Sequence, residues 1–321
     1  MKKHNLRIIL FVAILFNTLT GCAAMNGLND ATVTVRVVDD FGEPVSNVHS
    51  RLLSLSNYDA SRGLTDENGV FSVHLQDIFY EISGRFEKTG YYKSSGMFWH
   101  WNEWGGVPPA DTNFTVVLKR IIEPVPMIRK NVTAYPPHQG EPFGFDLEVG
   151  DWVFPDGKGT IADILIFAEG ESSSMSVFSF SLSAEFLGEH NGFYPFHVPL
   201  ENVPDPLLRS ELPPPQIAPE IEYEKTIEHY ARSSPTHKWG VSSRDETRRL
   251  IFRVRTVVDE EGKIISANYG WATQDLFFAT IPGKKTGFSF MYYYNPDPKS
   301  RSLEPKEIAD RQNKVSPFEG R

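Results

Sequence analysis

Cys22 is the only cysteine of the 321-residue chain, so it holds the one thiol that could act as a nucleophile or accept an acyl group. It follows a basic start (Lys2, Lys3 and Arg7) and an apolar run from Ile8 to Phe16. A charged head, a short apolar middle and small residues are typical of a bacterial secretory signal, and this run is too short for a comfortable membrane span. A single cysteine also excludes an intrachain disulfide and a thiolate metal cluster.

The residues Leu19, Thr20, Gly21 and Cys22 resemble the lipobox of bacterial lipoproteins. The resemblance implies that the signal peptide, residues 1–21, is removed and that the thiol of Cys22 carries a lipid anchor, which makes the membrane a partner. No aspartate follows Cys22 directly, which in lipoproteins of the enterobacterial type implies passage to the outer membrane of the cell envelope. The alternative is an ordinary signal peptide or a tethering helix, in which Cys22 has no role.

A second group of residues has the types that bind sugars: Trp99, Trp101, Asn102, Glu103 and Trp104. A tryptophan ring stacks on the apolar face of a sugar, while amide and carboxylate groups fix its hydroxyls. The candidate ligand is therefore a glycan. The alternative is that these rings cover an open end of the first domain or pack against the second, as aromatic clusters usually do.

The other candidates do not predict a catalytic or metal site. His138 and Glu141 have the spacing of a zinc carboxypeptidase pair but lie in a proline-rich stretch, and Asp151, Asp156 and Asp163 match no calcium-loop spacing. The chain lacks the His-x-His that intradiol dioxygenases use for iron, a nucleophile elbow and a phosphate-binding glycine loop. We predict no catalytic residue, no metal and no cofactor.

The charge of the chain argues against nucleic acid as a partner. The formal net charge is −9, and removal of Lys2, Lys3 and Arg7 with the signal would take it to −12. A surface this acidic repels phosphate backbones, and no compact basic run offsets it.

The pattern of turns and alternating residues predicts an all-β protein with two β-rich domains, since 300 mature residues exceed what one core usually serves. We expect the following segments: signal peptide 1–21, tether 22–30, β-sandwich 31–123, proline-rich linker 124–142, β-rich domain 143–300 and polar tail 301–321, either a frayed helix or unstructured.

Three motifs in the first domain combine turn and core signals: Val37-x-Asp39-x-x-Gly42-x-Pro44-Val45, Thr65-Asp66-x-Asn68-Gly69-x-Phe71 and Lys88-x-Gly90-Tyr91. They resemble the transthyretin-like sandwich, familiar as the carboxypeptidase regulatory-like domain. The resemblance covers some 90 residues and implies a seven-stranded sandwich that acts as a spacer or binding module.

The second domain shows its clearest strand between Phe178 and Phe186, where apolar residues alternate with serines. A hairpin is predicted around the turn 259–262, and residues 220–234 form the best helix candidate of the mature chain. The segments 251–256 and 267–270 resemble uncharacterised bacterial lipoproteins, which implies no activity. Seven prolines between Pro199 and Pro219 predict an irregular segment that drapes over a surface or bridges two.

These features predict a non-catalytic, lipid-anchored envelope protein that acts as a binding or scaffolding module, with a glycan as the candidate ligand of the tryptophan loop. The alternatives are an envelope hydrolase of polysaccharide or peptidoglycan, with carboxylates in the second domain, and a subunit of a larger envelope complex.

Overall fold

A computed structural model of the chain describes residues 29–54, 60–78, 81–100, 111–174, 177–198, 207–234, 237–281 and 285–314. Within these ranges the chain forms twenty strands and one helix, α1 (Lys306–Lys314). The protein is therefore all-β, as the alternation of its sequence predicts. None of the described helical residues forms a segment long and apolar enough to span a bilayer.

The first sandwich contains the first seven strands of the chain. They are β1 (Asn29–Asp39), β2 (His49–Ser54), β3 (Ala60–Leu64), β4 (Val70–Ile78), β5 (Glu81–Glu87), β6 (Ser94–His100) and β7 (Asp111–Leu118). One sheet has the order β4-β1-β7, and the other has β6-β5-β2-β3. Alternate residues of β1 are fully buried (Val33, Val35 and Val37), because each points into the core between the two sheets.

Two aspartates close the tight turns of this sandwich. The carboxylate of Asp39 accepts the backbone N–H of Phe41 at 2.9 Å and of Glu43 at 3.0 Å. Asp66 does the same for Asn68 and Val70, at 2.9 and 2.8 Å. Gly69 has a φ of +73°, and a Cβ there would lie 2.4 Å from the carbonyl oxygen of Val37, so only glycine fits. The sequence motifs around Asp39 and Asp66 thus mark tight turns, and the turn at Asp66 joins β3 and β4, which lie in different sheets.

The second sandwich contains twelve further strands. They are β8 (Ile128–Ala134), β9 (Pro142–Asp146), β10 (Asp151–Trp152), β11 (Ile164–Ser174), β12 (Val177–Phe186), β13 (Gly192–His197), β15 (Thr226–Ser234), β16 (His237–Ser242), β17 (Arg248–Val258), β18 (Ile264–Ala272), β19 (Phe277–Ile281) and β20 (Lys285–Asn295). The sheet β10-β9-β11-β12-β15-β16 faces the sheet β13-β17-β18-β20-β19, in which β8 pairs with the outer side of β20.

The sheet that contains β17, β18 and β20 is covered on both faces. Phe252, Tyr292 and Phe288 point into the core between the two sheets. Their neighbours Ile251 and Tyr293 point the other way, into a further apolar cluster. We call this cluster the junction core. Its buried residues are Tyr92, Leu212, Ala218, Ile251, Ala267, Tyr269, Trp271, Tyr293, Leu303, Ile308 and Ala309.

One strand of the first sandwich comes from the sequence between strands of the second. β14 (Leu207–Ser210) follows thirteen earlier strands in the sequence but pairs antiparallel with β6 of the first sandwich, with Leu207 opposite Met97. The chain then runs through Leu212 and Ala218 of the junction core to the second sandwich. The proline-rich segment 199–219 is therefore not irregular throughout, because its residues 207–210 form β14. We call residues 211–219, which follow β14 and connect the two sandwiches, the strap.

The segment 220–234 is not a helix, so that prediction is wrong. Residues 226–234 form β15, in which Ile227 and His229 are buried while Glu228 and Tyr230 are exposed. The helical interpretation grouped Tyr223, Ile227 and Tyr230 on one face. In the strand, every second residue points to the same side, so Ile227 and His229 are buried on one face. The segment forms a strand because it pairs with β12.

Residues after position 300 also differ from a solvated tail. Ser302, Leu303 and Glu304 are fully buried, and α1 adds Ile308 and Ala309 to the junction core. The carboxylate of Glu304 accepts the backbone N–H groups of Ile122 and Glu123 at 3.0 and 2.6 Å. Of the two expectations for this segment, the helix is the one that holds.

In the proline-rich stretch 124–142, β8 forms an edge strand.

Leu303→Ala tests the role of this C-terminal segment. Because the side chain is fully buried in the junction core, we expect the free energy of unfolding to fall by about 2 to 5 kcal/mol. Urea denaturation followed by tryptophan fluorescence measures the change. The control is Ile265→Ala at a residue that is 61% exposed. Equal, small effects of the two substitutions would contradict the packing of this segment.

Candidate functional site

The residues predicted to bind lipid or glycan fall almost entirely outside the described ranges. Cys22, Trp101, Asn102, Glu103 and Trp104 lie there, so the anchor and the tryptophan loop stay predictions. The backbone of Trp99 belongs to β6 and pairs with Ile82. The loop that follows therefore begins at the end of a strand of the first sandwich.

The aspartates that were considered for calcium serve other purposes. Asp151 accepts the backbone N–H of Trp152 and of Lys158, at 2.9 and 3.0 Å, so its carboxylate stabilises a turn. Within the described part of the chain, no group of three or more histidine, cysteine, aspartate or glutamate side chains could hold a metal ion.

Asp163 instead belongs to a buried ionic cluster around Arg255. The guanidinium donates from Nε to Asp163 Oδ1 at 2.9 Å and from Nη2 to Asp146 Oδ1 at 2.8 Å, and it also pairs with Glu148. Both aspartate side chains are 1% exposed. Arg255 lies at an irregularity of β17 with a φ of +54°, which aims its side chain at the loop between β9 and β11.

The two aspartates have opposite pKa shifts. Burial raises the pKa of Asp163, and its bonds to Arg255 and to the N–H of Leu147 offset this only in part. Burial also acts on Asp146, but backbone N–H donors from Val149, Thr160 and Ile161 outweigh it and lower the pKa of that carboxyl. The cluster therefore joins the two sheets, since Arg255 of β17 pairs with Asp146 at the end of β9 and with Asp163 before β11.

Ser243, with the buried His229 and Asp275, forms a second polar set whose composition is that of a hydrolase triad. Ser243 Oγ is 3.4 Å from His229 Nδ1, and His229 Nε2 is 3.3 Å from Asp275 Oδ2. Ser243 follows β16, His229 lies in β15 and Asp275 lies before β19. Because the three residues come from separate segments, no short sequence motif contains them.

Further partners hold this set in place. Arg248 donates to Asp275 from Nε at 3.0 Å, and its Nη2 is 3.1 Å from His229 Nε2. Ser243 Oγ accepts the N–H of Tyr230 at 2.9 Å and lies 3.4 Å from the carbonyl oxygen of Tyr230. Arg248 therefore competes with His229 for the carboxylate of Asp275.

A cleft between the two sandwiches, with a volume of about 430 Å³, carries the opposite charge to the protein as a whole. Its walls are the outer face of β7, the strand β14 with the start of the strap, and the first residues of β17. The charged side chains that line it are Lys119, Arg209, Arg249 and, if protonated, His197. None of the described lining residues carries a carboxylate. We call it the cationic cleft.

Burial disfavours the charged forms of two side chains in this cleft, Lys119 and Arg249. Burial lowers the pKa of Lys119 to about 8, against the opposing charge of Asp40. Burial and the neighbouring charges of Arg209 and Arg244 lower the pKa of Arg249. Like charges gathered in a desolvated site favour the entry of an anion.

A second cleft, of about 630 Å³, is lined by Glu189, Glu220 and Glu222. All three glutamates are exposed, and Glu220 pairs with Arg301. A carboxylic acid that protonates a glycosidic oxygen must be taken out of water to keep its proton near neutral pH. These glutamates do not meet that requirement, so the hydrolase alternative gains no support from this cleft.

Comparison with known proteins identifies no family. No family model and no curated protein sequence matches the chain. Among solved structures, a DUF3823 family protein from Parabacteroides merdae aligns with 87% of this chain and 100% of its own, with 8% identity and a TM-score of 0.20. BcpA, the major pilin subunit of Bacillus cereus, aligns with 83% of this chain and 85% of its own, with 11% identity and a TM-score of 0.21.

The 3-chlorocatechol 1,2-dioxygenase of Rhodococcus opacus is similar over 30% of this chain, with 14% identity and a TM-score of 0.25. The match spans 62% of that enzyme, which is less than two thirds of its length. At these TM-scores the similarities carry no argument about activity. They include β-rich pilin and DUF proteins, and no lipoprotein or transthyretin-like family is among them.

Arg255→Gln tests the ionic cluster. Loss of the guanidinium leaves two buried aspartates without their cation, so we expect a loss of about 3 to 5 kcal/mol in unfolding free energy at pH 7. Because Asp163 then takes up a proton more readily, the difference from wild type should shrink as the pH falls towards 4. Denaturation at both pH values measures it.

Two further variants make this test specific. Adding Asp163→Asn to Arg255→Gln should recover part of the stability, since one buried charge is gone. Arg129→Gln, at an exposed arginine, should change little. A loss in Arg255→Gln that is independent of pH and of Asp163 would mean that the cluster is not electrostatic.

Proposed function

We propose that the protein is a non-catalytic, lipid-anchored module of the bacterial cell envelope that acts in binding or scaffolding. The observation that carries this proposal is the junction, in which β14 pairs with β6 and eleven buried side chains from both halves form one core. Such a connection fixes the relative positions of two sandwiches, which suits a spacer or a scaffold.

The absence of catalysis in this proposal rests on the buried polar sets. The carboxylates around Arg255 and the Ser243, His229 and Asp275 set have the composition of catalytic groups, yet arginines hold both of them. The first sandwich adds indirect support, since two of its tight turns lie at motifs that resemble those of transthyretin-like spacer domains.

The anchor in this proposal rests on the sequence around Cys22, and Cys22→Ser tests it. We expect metabolic labelling with palmitate to be lost, because no other cysteine can be acylated. Asn26→Ser, a substitution in the predicted tether, serves as the control and should keep the label. Palmitate that persists in Cys22→Ser would refute the lipoprotein assignment.

The finer form of the proposal makes a glycan the ligand of the loop that contains Trp99, Trp101, Asn102, Glu103 and Trp104. Its support is the residue composition alone. On a glycan microarray, Trp101→Ala should lose about 1 kcal/mol or more of binding free energy, roughly fivefold in affinity or more, because the stacked ring is removed.

The matched control for the glycan test is Phe154→Ala, which removes an aromatic ring that is 79% exposed on the second sandwich. This variant should bind as wild type does. If wild type binds no glycan, or if Trp101→Ala and wild type bind equally, the tryptophan loop is not a sugar site. That result would leave the scaffolding role of the anchored module in place.

A further inference from the structure

We propose that the cationic cleft binds a phosphate-bearing ligand, held by Lys119 and Arg249 between the outer face of β7 and the start of β17. The proposal does not depend on the lipid anchor or on the tryptophan loop. It assigns a small-molecule or headgroup site to the contact region of the two sandwiches, which is where ligand pockets often lie.

Lys119 reaches the cleft from the end of β7 and keeps a free donor. Its ammonium donates to the carbonyl oxygens of Pro213 and Pro214 of the strap, at 3.0 and 2.8 Å. An ammonium has three hydrogens, so one remains, and no described residue accepts it. The two proline carbonyls therefore orient Lys119 without neutralising its charge.

Arg249 offers the planar fork that phosphate recognition requires. Its Nη1 donates to the backbone carbonyls of Glu246 and Arg248, at 2.7 and 2.8 Å, which fixes the plane of the guanidinium. In the described part of the chain, its Nε and Nη2 have no acceptor and no carboxylate forms an ion pair with it. Two parallel N–H groups of this kind match two oxygens of one phosphate.

The charges around the site explain why phosphate fits better than a monovalent anion. Lys119 and Arg249 are the two cations on which the site depends, and Arg209 also lines the cleft. The charged neighbours behind the lining are Asp40 near Lys119, and Asp245, Asp275 and Arg244 near Arg249. Asp275 is already paired with Arg248, and Asp40 accepts a hydrogen bond from Gln216. A dianionic or trianionic group therefore offsets the repulsion that the fold leaves in the cleft.

The volume and shape of the cleft limit the ligand. About 430 Å³ holds a small molecule that carries one or two phosphates. The same chemistry has two sources in a cell envelope, a soluble phosphate ester and a phospholipid headgroup. A protein of net charge −9 attracts neither by its overall field, so binding would depend on the local cations.

Isothermal titration calorimetry of the full-length protein with inorganic pyrophosphate tests the proposal at pH 7 and low salt. We expect one saturable site per chain. Arg249→Gln should weaken the affinity by about tenfold or more, since a charge-assisted pair of hydrogen bonds is lost. Lys119→Gln should weaken it as well. Arg36→Gln, which removes an exposed arginine of β1, should not, and circular dichroism checks that each variant is folded.

A parallel arm distinguishes the sources of phosphate. Vesicles of phosphatidylglycerol in phosphatidylcholine are floated with wild type and with Arg249→Gln, both carrying Cys22→Ser so that no lipid anchor contributes. Flotation that depends on Arg249 identifies a headgroup, and pyrophosphate binding without flotation identifies a soluble phosphate. Either result supports the site.

Two outcomes would overturn the proposal. The first is the absence of saturable pyrophosphate and vesicle binding by wild type, or binding that Arg249→Gln leaves unchanged. The second concerns residues 199–206, which lie between Val198 and Leu207 and include Glu201 and Asp205. If pyrophosphate binds only after Glu201→Gln and Asp205→Asn are introduced, these carboxylates of the chain itself occupy the cleft.

Discussion

The burial of one sheet on both faces is the constraint on which the rest of this structure depends. β17, β18 and β20 contribute Phe252 and Tyr292 to the core of the second sandwich, and Ile251, Trp271 and Tyr293 to the junction core. A sheet with two apolar faces must be covered twice. The second cover comes from the strap, from α1 and from Tyr92 of the first sandwich. With a single cysteine in the chain, apolar burial and hydrogen bonds must supply the cohesion of this assembly.

The prolines of the strap suit this covering role. Proline has no N–H to pair in a sheet, but its carbonyl oxygen still accepts a hydrogen bond. Lys119 uses the carbonyls of Pro213 and Pro214, and Arg301 uses that of Ala218. Gln216 donates to Asp40 of the first sandwich. The strap is thus held by side chains from both halves of the protein, although it forms no sheet of its own.

The sequence reveals those parts of the fold whose signals are local. The serine alternation predicts β12, and the turn at residues 259–262 predicts the hairpin of β17 and β18, because each depends on neighbouring residues. β15 was mistaken for a helix since its partner strand, β12, is set by the tertiary fold. The sequence also does not predict that Leu303 and Ile308 are buried. Their segment contains few apolar residues, and the partners that cover them come from distant parts of the chain. Two sets of polar residues share this difficulty. Lys119 and Arg249 line one cleft, and His229 lies beside Asp275, only because strands distant in the sequence come together in the fold.

The pairing of β14 with β6 has a consequence for how the chain matures. Met97 lies opposite Leu207, 110 positions later in the sequence. Until that later segment arrives, β6 presents an open row of backbone donors and acceptors, which is a template for strand addition. A second copy of the chain could supply the same four residues in its place and produce a swapped dimer. The order in which the chain emerges during synthesis therefore bears on whether monomers or interlocked pairs accumulate.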